Sequence, residues 1–407
     1  MRRVVITGMG VVSALGCSVE SSFERLKRYE NAVINYSDLH QYKGLHSMLG
    51  SPIQNFEIPE HYTRKVLRTM GPISVMALVA AEQALTQAEL LNNPILQSGR
   101  CGVSYGSSFG SVEPVVDFFS MLETKAVNAI TSSTYVKTMP QTAAVNLSLY
   151  FKTTGRLIPT GTACTSGSMG IGYAYEAIQS GVQDVMIAGG AEEFSPVDVG
   201  VFDALYATST KNDIPKLTPS PFDVARDGLV IGEGAGVLIL EEYEHAQKRG
   251  APILAEIVGF ATNTDGTHIT QPNSVTMAKC MVLALESAKL KKQDIGYVNA
   301  HGTSTIHGDI AESTATEEVM GYIPISSLKS YVGHTLGACG ALEAIWSIEM
   351  MNHNWFAPTL NLHTPDEKCG KLDYIMDEGR TIDTDFVMSN NFAFGGINTS
   401  LIFKRTH

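Results

Sequence analysis

Four residues of this chain pair a reactive side chain with a local sequence that could make it react: Cys164, His301, Lys329 and His334. Cys164 lies in Gly161-Thr162-Ala163-Cys164-Thr165-Ser166-Gly167-Ser168-Met169-Gly170, a turn of small residues that leaves room around the sulfur and leads into a helical pattern ending near Gln179. At a helix N-terminus the unpaired N–H groups and the positive dipole end favour thiolate, the nucleophilic form of cysteine. The cysteines at 17, 101, 280, 339 and 369 lack that setting and read as small buried hydrophobes. His301, in Asn299-Ala300-His301-Gly302-Thr303-Ser304-Thr305, directly follows a buried-strand pattern and stands among hydroxyls. His334, in Ser327-Leu328-Lys329-Ser330-Tyr331-Val332-Gly333-His334, comes five residues after Lys329 and again leads into a helix. A sulfur nucleophile accompanied by imidazoles is the outfit of nucleophilic catalysis.

Such residues need a rigid scaffold to meet. The 407 residues, 44% hydrophobic and 17% charged, suffice to close one large core or two fused ones and exclude a disordered or fibrous chain. Strand-like runs occur at 2–7, 101–105, 184–188, 236–241, 253–260, 295–300, 385–389 and 399–403, and helical patterns at 72–87, 166–179, 276–289 and 336–352. This alternation argues for an α/β protein. Two halves can be read, 1–250 carrying Cys164 and 251–407 carrying both histidines, divided at the Lys248-Arg249-Gly250-Ala251-Pro252 turn. Spacing alone does not prove a duplication.

Val4-Val5-Ile6-Thr7 reads as a buried first strand ending in a glycine turn, so the Met1-Arg2-Arg3 start is expected to open a cytoplasmic fold rather than an export signal. Six cysteines without CxxC spacing suggest reduced thiols and no zinc site. No apolar segment is long enough to span a membrane. The net charge of −12 argues against a general nucleic-acid surface and leaves room for a local basic patch.

Taken together, Cys164, His301, Lys329 and His334 match the active-site pattern of the β-ketoacyl synthases of the Cys-His-His type. The chain resembles the elongating synthases of fatty-acid and polyketide synthesis from its first strand to its last, including Pro221-Phe222-Asp223, Arg226-Asp227-Gly228, Gly232-Glu233-Gly234-Ala235-Gly236 and Asn391-Phe392-Ala393-Phe394-Gly395-Gly396. The resemblance implies a thiolase-like fold of two similar halves layered α-β-α-β-α, usually a homodimer. It implies that Cys164 accepts an acyl group from the phosphopantetheine thioester of an acyl-carrier protein, with the backbone N–H groups of Cys164 and Phe392 as oxyanion hole. His301 and His334 would stabilise the enolate left when a malonyl thioester decarboxylates, and no metal or redox cofactor would be required.

The resemblance further places Lys329 with Glu312 behind the histidines, where a buried structural ion pair is the plain alternative. Thr303 and Thr305 match positions that bond the pantetheine arm. Phe392 matches the gate between acyl and malonyl pockets, with Phe394 beside it and Gly395 and Gly396 to let the loop move. Asn299, Glu343, Ser389 and Asn390 match a structural monovalent-cation site of some relatives, although these residues could equally satisfy one another. Arg64, Lys65, Arg68 and Lys211 match carrier-docking positions, or are ordinary solvated charges. Phe109, in Gly106-Ser107-Ser108-Phe109-Gly110-Ser111, matches the bottom of the acyl pocket, where its ring would favour shorter or flatter chains.

Other readings fare worse. A thiolase needs a second cysteine in its last glycine-rich turn, which residues 392–396 lack. Initiating synthases carry Cys-His-Asn, and a chain-length factor lacks the nucleophile. A dinucleotide site at Gly8-Met9-Gly10 fails because Ser13 stands where glycine is required. A non-catalytic acyl-binding module would require an inert Cys164. Ile306, Ile397, Ser220 and the run Thr262-Asn263-Thr264-Asp265-Gly266-Thr267-His268 depart from the common family form. These departures leave open housekeeping elongation, or a specialised polyketide or aryl-polyene pathway with a chain-length-factor partner.

Overall fold

The computed structural model describes residues 1–406. Its chain order repeats. The first half runs β1 (Val4–Ser13), α1 (Pro72–Gln87), β2 (Cys101–Gly106), α2 (Thr142–Phe151), β3 (Leu157–Thr160), α3 (Ser166–Gln179), β4 (Val185–Glu192) and β5 (Gly234–Glu242). The second runs β6 (Ala255–Thr264), α4 (Ser274–Ala288), β7 (Tyr297–Asn299), α5 (Ile306–Met320), β8 (Pro324–Ser326), α6 (Cys339–Asn352), β9 (Asp373–Tyr374), β10 (Phe386–Ala393) and β11 (Ile397–Lys404).

Pairing repeats as well. In the first half β1 and β4 flank β5 antiparallel, and β2 and β3 continue outward from β4 in parallel. In the second half β6 and β10 flank β11 antiparallel, and β7, β8 and the short β9 continue outward in parallel. Val4, Val5 and Ile6 pair antiparallel with Ile257, Glu256 and Ala255, which joins the halves into one 11-stranded sheet.

Alternation along the strands builds three cores from this sheet. Met186, Ala188, Leu238, Leu240, Val387 and Leu401 face a central core shared with Ile171 of α3 and Leu342 and Trp346 of α6. Their neighbours Ile187, Val237 and Ile239 face α1. Met388 and Ile402 face Met277 and Met281 of α4. Helices α3 and α6 touch each other and strands of both halves, so the order of layers is α1 and α2, first half-sheet, α3 and α6, second half-sheet, α4 and α5. This is the thiolase-like α-β-α-β-α arrangement. Each fully buried Leu, Ile or Val contributes roughly 1.5–3 kcal/mol to holding it.

Some elements differ from the sequence expectation for identifiable reasons. β1 does not end at Gly8 but runs to Ser13, because its glycines let α1 lie directly on the strand: a Cβ at Gly8 would stand 2.0 Å from the Ala84 carbonyl oxygen, and one at Gly10 1.9 Å from that of Ala80. Helix α5 gave no apolar periodicity because its inward face is polar, with Asp309, Glu312, Ser313 and Thr316 all buried. No helix among the described residues is long and apolar enough to cross a membrane.

Candidate active site

The reactive side chains converge because matched turns of the two halves face each other across the central layer. Cys164 sits in the tight turn Ala163–Thr165 that opens α3, and His334 just before the equivalent turn Leu336–Ala338 that opens α6. Ala163 and Leu336 both adopt left-handed backbone, with φ of +49° and +45°, a conformation costly for residues with a Cβ and held here by the surrounding packing. His301 follows β7 and Lys329 follows β8, at the C-terminal ends of parallel strands.

Hydrogen bonds define the imidazoles. His334 Nε2 lies 3.0 Å from Cys164 Sγ, while the Leu336 amide donates to His334 Nδ1 at 3.2 Å. Nδ1 is therefore an acceptor and Nε2 carries the proton. His301 Nδ1 receives Lys329 Nζ at 3.2 Å and Asn391 Nδ2 at 3.4 Å, so its Nε2 also carries a proton. The two rings stand 5.2 Å apart and nearly perpendicular. A ligating nitrogen of each and the Cys164 sulfur all lie within 4.8 Å of one another. Burial, helped by the Lys329 charge, holds both histidines well below the usual imidazole pKa, so they are neutral donors at physiological pH. A metal bound through Nε2 would need the proton moved to Nδ1, where N–H donors already point, and the trio does not fit one.

Cys164 itself departs from expectation. Burial pushes its thiol up to about 11, against the opposing pull of Lys329 and of the backbone N–H groups of Phe394 and Cys164. The helix N-terminus does not by itself yield a resting thiolate, because almost no water reaches the sulfur. That environment also separates Phe392 from Phe394. Phe392 is locked in the ladder opposite Asn398, its ring buried and edge-on to His301. Phe394 lies beyond the last paired residue of β10, half-buried against Phe202, and it is its amide that faces the sulfur. Gly395 and Gly396 follow at φ of +86° and +70°.

Lys329 pairs with Glu343 of α6, not with Glu312. Burial works against the ammonium, but the Glu343 carboxylate paired with it keeps Lys329 above its usual pKa. Glu312 instead clamps the His301 turn, accepting from the amides of His301 and Gly302 at 2.7 Å each, and burial pushes it up to about 8. The expected cation ligands are brought together only in part. Asn299 donates to Ser389 at 3.1 Å and lies beside Glu343, whose oxygens also meet Lys329 and Asn391, and Asn299 Oδ1 is buried without a partner among the described residues, whereas the Asn390 side chain turns to the opposite face, toward Met281. Strand alternation is the reason: Ser389 and Asn391 face the central layer and Asn390 faces away.

A cavity of about 510 Å³ reaches Cys164 and is lined by His301, His334, Thr303, Thr305, Phe392 and Phe394. The two threonine hydroxyls bond each other at 2.9 Å. Phe109 does not line this cavity and is 41% exposed on the single chain. Arg64, Lys65 and Arg68 are exposed, whereas Lys211 is spent on the Ala225 carbonyl at 3.0 Å and on Asp227. Sequence reasoning missed Asn391, which touches His301 and Glu343. It stands in the Asn-Phe-Ala-Phe-Gly-Gly motif, but only the tertiary structure shows what faces it.

A neutral Cys-His-His centre on a doubled α/β sheet defines a thiolase-fold ketosynthase. Residues 1–246 match the family described as Beta-ketoacyl synthase, N-terminal domain, and residues 254–363 match Beta-ketoacyl synthase, C-terminal domain. The chain belongs to the β-ketoacyl synthase family. It is 37% identical to 3-oxoacyl-[acyl-carrier-protein] synthase 2 of Vibrio cholerae serotype O1, over 99% of either chain. A β-ketoacyl synthase from Burkholderia phymatum STM815 is similar in structure, with 58% identity and a TM-score of 0.98 over the whole of both chains. A ketosynthase solved in complex with its type II PKS acyl-carrier protein and bound to the hexaketide (AntDE:AntF) is 31% identical, with a TM-score of 0.88 over the whole of both chains.

Proposed function

We propose that this enzyme is an acyltransferase that extends acyl chains by decarboxylative condensation with a malonyl thioester, both substrates carried on the phosphopantetheine of an acyl-carrier protein, in fatty-acid elongation. The observation that carries this reading is the convergence of two Nε2–H donors and a cysteine sulfur in one cavity. In the first step Cys164 sulfur attacks the acyl thioester. The oxyanion is held by the amides of Cys164 and Phe394, the pantetheine sulfur leaves, and the proton lost by Cys164 ends on it. In the second step the bond from the malonyl α-carbon to its carboxylate breaks, carbon dioxide leaves, and the electron pair moves toward the thioester oxygen, where His301 and His334 donate. The enolate carbon then attacks the acyl carbonyl on Cys164, and collapse expels the sulfur, which recovers a proton. Incubation with acyl- and malonyl-carrier protein is expected to yield one carbon dioxide per β-ketoacyl product; carbon dioxide release without acyl loading of Cys164 in the natural protein would overturn the reading.

The buried Phe392 stays fixed in this reading, and Phe394 with its two left-handed glycines acts as the gate between acyl and malonyl pockets. Thr303 and Thr305 receive the pantetheine arm. An acidic carrier docks on Arg64, Lys65 and Arg68, the exposed cations of the set. Reversing Arg64 and Arg68 to glutamate is expected to raise KM for carrier-bound acyl groups roughly tenfold while sparing small thioester mimics. Equal losses on both substrates would argue against docking there.

A second copy of the chain completes the enzyme. The outer edge of β3 is unpaired in the sheet, and the helix Val115–Thr124 buries none of its residues, leaving Val116, Phe119 and Leu122 each more than half exposed. An edge strand and a bare apolar helix on one chain call for a covering surface. Light scattering is expected to give twice the 43.9 kDa chain mass, and Phe119→Glu the single mass. A stable monomer that dimerises only with a chain-length factor would replace the homodimer. Phe109 lies on the same chain segment, so the copy that covers it would close the acyl pocket. Phe109→Ala is expected to move the acyl-transfer optimum about two carbons longer, since each methylene is worth about 1–3 kcal/mol in such a pocket. An unchanged chain-length profile would remove Phe109 as its limit.

A further inference from the structure

We propose that Asn391 is a positioning residue that fixes the tautomer of His301, by presenting an N–H to its Nδ1 and by holding Glu343, and through it Lys329, in place. Asn391 lies on β10 and points into the central layer. Its Nδ2 stands 2.7 Å from Glu343 Oε2, 3.4 Å from His301 Nδ1 and 3.7 Å from Cys339 Sγ, acceptors that converge on one amide group. Its Oδ1 is buried and has no hydrogen-bond partner among the described residues. Exchanging the two ends of the amide would press that oxygen against the Glu343 carboxylate, so charge alone sets which end faces His301. Helix α6 wedges the group in place: a Cβ at Gly340 would stand 2.7 Å from Asn391 Oδ1.

The surroundings of His301 single out this residue. Cys339 and Glu343 face the imidazole from α6, Lys329 from the turn after β8, Phe392 and Asn391 from β10, and His334 and Cys164 from the cavity, while Glu312 of α5 takes the backbone amide of His301. Of these, Lys329 and Asn391 bring an N–H to Nδ1. Lys329 depends on Glu343 for its place, and Asn391 holds the other oxygen of that carboxylate. Asn391 therefore acts on Nδ1 directly and through the ion pair. The consequence is a hydrogen at Nε2, which is the donor that the proposed decarboxylation uses, and the inference rests on that reading.

Asn391→Asp tests it at nearly constant volume. The new carboxylate stands against Glu343, and the pair shares a proton until the pH is alkaline; where both are ionised, the carboxylate beside Nδ1 accepts a proton there, so the neutral ring turns its Nε2 lone pair toward the thioester oxygen. Carbon dioxide release from a malonyl thioester should fall at least about tenfold at alkaline pH, as for loss of an oxyanion donor. It should recover as pH falls, because the new charge raises the His301 pKa and the imidazolium again carries Nε2–H. The natural protein should show no such rise toward acid. Acyl loading of Cys164 should fall less than carbon dioxide release does, since His334 rather than His301 touches the sulfur. In ¹⁵N spectra of histidine-labelled protein, Nδ1 of His301 should pass from unprotonated to protonated. A pH profile parallel to that of the natural protein, with an unchanged His301 signal, would overturn the inference. If the Asp variant does not load Cys164 and is misfolded, Asn391→Ser decides: a loss of carbon dioxide release with loading kept supports the assignment, and an unchanged rate sinks it. A natural protein that releases no carbon dioxide would instead sink the proposed function.

Discussion

Cys164→Ala is expected to abolish acyl loading and condensation outright while malonyl decarboxylation remains measurable, because in the proposed mechanism the donors for the enolate are imidazoles and not the sulfur. The two histidines should then separate. His301 makes no hydrogen bond to Cys164, so His301→Ala should load acyl groups normally and lose about 10²–10³-fold in carbon dioxide release, the usual effect of removing one preorganised donor. His334 Nε2 lies 3.0 Å from the sulfur, so His334→Ala should impair both steps. Acyl-enzyme mass and carbon dioxide release, measured on the same preparations, check this. A Cys164→Ala protein that still forms β-ketoacyl product, or identical effects of the two histidine substitutions, would refute the division of labour.

Lys329→Met should be nearly as damaging, by a different route. Lys329 and Glu343 form a fully buried ion pair, and removing one partner leaves a carboxylate without compensation in a site that water does not enter. Loss of one member of such a pair typically costs about 3–5 kcal/mol of stability. The substitution also removes the positive charge that, after burial, holds His301 and His334 below the usual imidazole pKa. Their pKa values should rise, so the histidines begin to charge at a higher pH than in the natural protein, and carbon dioxide release should acquire a pH dependence that the natural protein lacks near neutrality. Denaturant unfolding and a pH–rate profile test the two effects separately. Replacing Lys329 and Glu343 together by apolar residues should restore much of the stability without restoring the histidine pKa values. If Lys329→Met is as stable as the natural protein, the ion pair is not what holds this corner of the core.

The side chains that converge in the candidate site were legible in the sequence because nucleophiles and imidazoles keep their identity wherever they sit. Cys164 before a helical pattern, His301 after a strand and His334 after Lys329 could be picked out one by one, and the α/β class followed from strand and helix periods in the chain. The central strands were readable because alternate residues feed two different cores, and α3 and α6 because small and apolar residues recur at helical spacing. Helix α5 escaped for the opposite reason: its buried face is polar, and a polar buried face imitates an exposed one in sequence.

Which group meets which was decided only by the fold. Glu312 and Glu343 are both buried carboxylates near Lys329, yet the direction of α6 gives the ion pair to Glu343 and leaves Glu312 to two backbone amides. The amide at the sulfur belongs to Phe394 rather than Phe392 because β10 ends between them and releases one peptide from the ladder. Asn390 and Asn391 are adjacent and alike, and the pleat sends them to opposite faces. Protonation followed the same rule. A helix N-terminus predicted a thiolate, but burial of the sulfur raised the thiol, and the tautomers of both histidines were set by whichever donors the second half of the chain brought to Nδ1. Sequence fixes the kind of each side chain; hydrogen-bond direction, burial and charge state are properties of its neighbours, and most of these neighbours lie tens to hundreds of residues away along the chain.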